Sequence, residues 1–147
     1  MIPSCILIHH SLTADSGTVS WGAIRKFHMT NPAYMMRDIG YHWGLELIGD
    51  HYECLAGRMM NEVGAHCKEE GMNRVSLGIC LVGNFDIAPP PKAQWDLAVR
   101  LTASLCGLLH IPTAMIFPHS RFSPKTCPGT KFDMDLFKLA VSNRLSI

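Results

Sequence analysis

A chain of 147 residues fits one domain and can bury a core without covalent staples. With 48% hydrophobic and 17% charged residues, its composition is that of an ordinary globular protein and argues against disorder. The 13 basic and 12 acidic residues are evenly spread, for a formal net charge of +1, which gives no reason to expect nucleic acid or a membrane surface as partner.

Met1-Ile2-Pro3-Ser4-Cys5 lacks the charged region and long apolar core of a signal peptide, so the chain as given is expected to be cytoplasmic as synthesised. No apolar run approaches the roughly 18 residues of a membrane span. Cys5-Ile6-Leu7-Ile8 reads as a strand buried on both faces, ending abruptly in His9-His10-Ser11. A polar loop with Asp15, Ser16 and Gly17 follows. Trp21, Ile24 and Phe27/His28 then recur at helical spacing until Asn31-Pro32 stops the helix.

Tyr41 to Leu47 and Tyr52 to Ala56 read as two strands joined at Gly49-Asp50. Leu77 to Val82 is a further apolar strand, closed by Gly83-Asn84. After Pro89-Pro90-Pro91 a long helix is predicted from about Lys92 to His110. Lys92, Asp96 and Arg100 form its one narrow polar stripe, so it should lie against a sheet. Ala114 to Phe117 reads as a last strand, His119 to Pro128 as a polar loop, and Phe132, Leu136, Phe137, Ala140 and Val141 as the apolar face of a final helix. Strands interleaved with helices predict an α/β fold: a central mixed sheet with helices packed on it, in a single domain spanning 1–147.

The six cysteines, at 5, 54, 67, 80, 106 and 127, follow no framework spacing and include no CxxC pair. They read as reduced thiols, with Cys127 set apart by what surrounds it. His9-His10 stand at a strand end, and His119 and Cys127 bracket one loop. Zinc takes imidazole nitrogen and thiolate sulfur, and a catalytic site uses three protein ligands, leaving a position for water. Side chains alternate across a strand, so one of His9 and His10 would face such a site and the other would pack. Periodicity leaves open which, and also whether both are merely capped surface histidines.

Five ordered segments bear on this: Ile6-Leu7-Ile8-His9-His10-Ser11, Asp38-Ile39-Gly40-Tyr41-His42, Gly64-Ala65-His66-Cys67, the run Ser76 to Asp86, and Pro124-Lys125-Thr126-Cys127-Pro128-Gly129 leading to the final helix. In their order and spacing the chain resembles the type 2 N-acetylmuramoyl-L-alanine amidases, the group that includes bacteriophage T7 lysozyme and the peptidoglycan recognition proteins. The resemblance implies a zinc-dependent amidase cutting between N-acetylmuramic acid and the L-alanine of the stem peptide. It implies His9, His119 and Cys127 as zinc ligands, and Tyr41 and Lys125 as catalytic residues. A phenol or an ammonium can stabilise the oxyanion of a tetrahedral intermediate. His66, Asn84 and Thr126 are expected to line the substrate groove. No glutamate matches the base that some relatives use, so that role stays open.

Retention of Cys127 favours an enzyme over a receptor, because relatives that bind peptidoglycan without cutting it typically lack that ligand. Pro118-His119-Ser120-Arg121 departs from relatives with glycine before the histidine, and the disulfide of animal recognition proteins has no counterpart. Both the missing disulfide and the missing leader fit a phage or prophage endolysin, expected to act as a monomer on peptidoglycan or muropeptide after release. The alternatives are a cytoplasmic muropeptide-recycling amidase, a non-catalytic binding module, and a structural zinc site closed by His10 or Cys67.

Overall fold

A computed structural model of the chain describes residues 1–13 and 20–146, so the expected loop with Asp15, Ser16 and Gly17 lies outside the described residues. Five strands form one sheet: β1 (Cys5–His10), β2 (Trp43–Ile48), β3 (His51–Ala56), β4 (Ser76–Leu81) and β5 (Ile116–Pro118). Their spatial order is β3-β2-β4-β1-β5, with β3 antiparallel to β2 and every other pairing parallel. The expected mixed sheet is therefore present. The two continuous apolar runs, β1 and β4, lie side by side at its centre with every residue buried, as strands covered on both faces require.

Three helices complete the fold: α1 (Trp21–Thr30), α2 (Lys92–Leu109) and α3 (Met134–Leu145). Alternation along the central strands divides the core. Ile6, Ile8, Leu77, Ile79 and Leu81 point to one face, where they meet Ala98, Ala103 and Cys106 of α2 and Phe137 and Val141 of α3. The other face carries two smaller clusters, Trp21, Ile24, Ile39, Cys80 and Val82 beneath α1, and Cys5, Leu7, Cys67 and Met72 at the opposite end. Gln94 of α2 is fully buried and donates to the carbonyls of Leu45 and Val82 at 3.1 and 2.8 Å, fixing the helix across β2 and β4.

Each helix start has a visible cause. Ser20 accepts the Ala23 N–H at α1, Asp133 accepts the Leu136 N–H at α3, and Pro91 precedes α2. The buried Glu46 carboxylate also accepts the Trp21 N–H at 3.0 Å, setting negative charge on the positive end of α1.

Several boundaries differ from expectation. β2 begins at Trp43, which leaves Tyr41 in the segment before the strand. Thr113–Met115 forms a 3-10 turn and shortens the last strand to three residues. Phe132 is buried ahead of α3, whereas Leu136 on that helix is 53% exposed and does not belong to its apolar face. Glu69–Arg74 folds into 3-10 turns where no element was expected.

Candidate metal centre

β1 and β5 run parallel with Ile8 opposite Pro118. The next residue of each, His9 and His119, therefore emerges side by side at the carboxyl ends of the strands, a usual place for ligand sites in open α/β sheets. Their ring centroids are 4.6 Å apart, and both residues are buried. His9 projects from the face opposite α2 and α3, the side of the strand that also carries Cys5 and Leu7.

Cys127 arrives from the loop after His119. The Ser120 N–H donates to the Cys127 carbonyl at 2.7 Å, closing that loop on itself. The chain then passes so close to Phe85 that a Cβ at Gly129 would stand 2.4 Å from the Phe85 carbonyl carbon, and Gly129 has φ +118. Only glycine meets both demands. The thiol so placed lies 3.6 Å from His9 Nδ1 and receives the His10 N–H at 3.4 Å. One ligand atom each from His9, His119 and Cys127 lies within 4.8 Å of the others, a group that could hold a metal ion.

His10 turns to the other face of the strand. Its Nδ1 accepts the Phe85 N–H at 3.1 Å and its ring packs 5.9 Å from that of Phe85. Neither His10 nor Cys67 joins the three-donor group among the described residues. Cys67 belongs instead to a second group with Glu69 and His119.

An open cavity of about 800 Å³ lies over the centre. His66, Tyr41, Lys125 and Thr126 all line it. The Tyr41 ring stands 5.2 Å from His9, and Lys125 is exposed on the cysteine loop. His66 meets His9 directly, Nδ1 to Nε2, at 3.0 Å. Thr126 donates its hydroxyl to Asp86 Oδ2 at 2.8 Å. Asn84 is not among the lining residues: its side-chain oxygen accepts the Asp86 N–H at 3.1 Å, so the amide serves the turn that presents Asp86. Sequence reasoning singled out neither Asp86 nor the aromatic wall of Phe27, His28 and Tyr34. Phe27 and Tyr34 are exposed in the structure, but in the sequence Phe27 reads as part of the helical repeat with Trp21 and Ile24. Asp86 lay inside a matched motif without a chemical reason to pick it out.

Burial sets the protonation of the site. Together with the neighbouring His66 and His119 imidazoles, it holds His9 well below the ordinary histidine value. It also lowers His119, against an opposing pull from Glu69. His66 falls to about 3, through burial and then His42. Burial pushes the Cys127 thiol up to about 12, with the His10 N–H and Lys125 working against it. Burial likewise raises the Tyr41 phenol well above its ordinary value, so it keeps its proton at neutral pH. The site without an ion is thus a set of neutral donors: imidazoles ready to ligate and a thiol that must first lose a proton.

Residues 1–130 match the family model described as N-acetylmuramoyl-L-alanine amidase. The chain is 33% identical over 136 residues to the endolysin of Enterobacteria phage K11, covering 89% of this chain and 82% of that one. It is also 33% identical over 132 residues to the endolysin of Escherichia phage T7, covering 88% and 81% respectively. Among solved structures, the N-acetylmuramoyl-L-alanine amidase LysC from Clostridium intestinale URNW shares the fold, with a TM-score of 0.78, 23% identity, and coverage of 96% of this chain and 86% of that one.

Proposed function

The chain belongs to the N-acetylmuramoyl-L-alanine amidase family, and from that premise we propose a zinc enzyme in which His9, His119 and Cys127 hold the ion. It is a peptidoglycan amidase, hydrolysing the amide between N-acetylmuramic acid and L-alanine. The observation that carries the zinc reading is the three-donor group at the base of the cavity. Two imidazoles and one thiolate make a donor set suited to zinc. Tetrahedral bonds of about 2.3 Å to sulfur and about 2.0 Å to nitrogen would set those atoms roughly 3.5 Å apart, and the Cys127 Sγ to His9 Nδ1 distance is 3.6 Å. His9, His119 and Cys127 all line the cavity, and three protein donors are the number that a catalytic zinc site would use.

Bound there, zinc would supply Lewis acidity towards the scissile carbonyl and lower the pKa of water towards about 7. The chain's own residues supply the rest. Tyr41, protonated at neutral pH, and the Lys125 ammonium offer hydrogen bonds to the amide oxygen as it gathers negative charge. His66 and Thr126 form part of the wall against which the muropeptide lies. The open cavity over these residues gives the substrate room to enter.

We place this activity in a phage or prophage endolysin acting as a monomer on the host wall after release from the cytoplasm. The similarity to phage endolysins along most of the chain supports this. Among the described residues no helix is long and apolar enough to cross a membrane. The test is stem-peptide release from intact sacculi and from small soluble muropeptides, before and after chelation. The expected result is loss of activity in metal-free enzyme, recovery with zinc, and turnover of sacculi. Hydrolysis that persists without metal would overturn the zinc reading, and turnover confined to soluble fragments would favour muropeptide recycling.

A further inference from the structure

We infer that His66 is a positioning residue for His9: its Nδ1 accepts the His9 Nε2–H and so holds His9 as the tautomer whose Nδ1 lone pair faces Cys127. The inference rests on His9 being a zinc ligand, as proposed above.

The two nitrogens of His9 face different partners. Nδ1 is 3.6 Å from the Cys127 sulfur, and Nε2 is 3.0 Å from His66 Nδ1. Two ring nitrogens at 3.0 Å need one proton between them, and a neutral imidazole has one N–H and one lone pair. If His66 Nδ1 owned that proton, His9 would accept at Nε2 and carry its own proton on Nδ1. That N–H would point at Cys127, and no lone pair would be left for a cation. If His9 Nε2 owns it, Nδ1 is free to ligate and His66 carries its proton on Nε2. Ligation by His9 through the nitrogen that faces Cys127 therefore requires the second arrangement, and His66 is the group that accepts.

The slot around His66 fits this task. A Cβ at Gly64 would stand 2.6 Å from the His66 ring, and one at Gly78 would stand 2.7 Å from it, so the imidazole is clasped between two positions without side chains. The backbone N–H groups of His66 and Cys67 both donate to Asn73 Oδ1 at 2.8 Å, fixing the segment that carries the ring. His42, edge-on at 5.6 Å, is itself pinned: its Nδ1 accepts the Gly78 N–H and its Nε2 faces the Glu62 carbonyl, each at 3.0 Å. His66 Nε2 is buried with no hydrogen-bond partner among the described residues, and the side chain that meets this ring within hydrogen-bond distance is His9, through Nε2. Outer partners of this kind fix the tautomer of a ligating histidine and raise its basicity.

The test measures zinc affinity by competition with a chromogenic chelator, together with nitrogen-15 spectra of histidine-labelled protein in its zinc-loaded form. His66→Leu should weaken zinc binding about 10- to 100-fold. His66→Asn, whose amide oxygen can stand near the Nδ1 position, should recover most of that loss. In wild-type protein loaded with zinc, His9 should carry its proton on Nε2, and His66 Nδ1 should carry none. A proton on His66 Nδ1 in the loaded protein overturns the inference, and this measurement needs no variant to fold. Unchanged zinc affinity in His66→Leu overturns it as well, while leaving the zinc reading intact. Wild-type protein that binds no zinc removes both.

Discussion

His9 and His10 are chemically identical neighbours that the strand sends to opposite faces, and this makes them the sharpest test of the ligand set. His9→Ala should lose zinc and activity together, because two remaining protein ligands make a poor site. His10→Ala should keep stoichiometric zinc and measurable turnover, losing at most stability through its bond to the Phe85 N–H. Metal analysis of the two purified variants decides it, and the reverse pattern would show the assignment to be shifted by one residue. Cys127→Ser should behave like His9→Ala, since a hydroxyl is a much poorer zinc ligand than a thiolate. Because burial holds the Cys127 thiol at about 12, zinc uptake near neutral pH should release about one proton from it, and affinity should rise with pH. Calorimetry in buffers of different ionisation enthalpy would reveal that proton. Tyr41→Phe and Lys125→Ala should each lower kcat, on the order of a hundredfold for a lost oxyanion donor, with zinc content unchanged. Near-normal turnover in either would remove that residue from the mechanism.

Among the elements, β1, β4, α1 and α2 were legible because each writes its environment into a local pattern: continuous apolar runs, helical spacing, and proline or cap residues at the ends. The short pieces were not. The 3-10 turn at Thr113–Met115 and the turns at Glu69–Arg74 are closed by short-range backbone hydrogen bonds, such as Met115 N–H to the Pro112 carbonyl and Gly71 N–H to the Lys68 carbonyl, which no apolar periodicity announces. Glu46, between two leucines of β2, reads locally as an anomaly; its reason is the N-terminus of α1, twenty-five residues away in the chain. Gln94 is similar, a polar residue on the buried face of α2, explained by the carbonyls of Leu45 on β2 and of Val82 just past β4. Gln94→Leu keeps the volume but removes both donations, leaving the Leu45 carbonyl with the Val82 N–H alone. It should destabilise the protein by about 1–3 kcal/mol, read as a lower denaturant midpoint at unchanged slope. A neutral result would mean that the clamp between α2 and the sheet is dispensable. The site itself was legible only in part. Resemblance supplied the residues, but their convergence depends on the β1–β5 register, which no single segment encodes.

At the scale of the whole molecule, the histidines make folding pH-dependent even without an ion. Burial lowers His42 from 6.5, and His66 from 6.5 to about 3. A depressed folded value means that the unfolded chain binds protons first. The stabilisation is therefore complete above about pH 6.5 and is lost progressively as pH falls towards the folded values. Each such histidine contributes a slope of up to about 1.4 kcal/mol per pH unit. Denaturant titrations of metal-free protein between pH 7 and 5 should show stability falling, and a flat profile would contradict the buried neutral state. The sheet also has a consequence outside the active site. β3 pairs only with β2, so its far side is an open edge, and along it Cys54 is the one exposed thiol of the six. That gives the native molecule a single chemical address. A maleimide dye should attach to one position without touching the buried Cys127 sulfur, and Cys54→Ser should abolish that labelling. Left to oxidise, two such edges should join into a covalent pair that runs as a dimer until reductant is added.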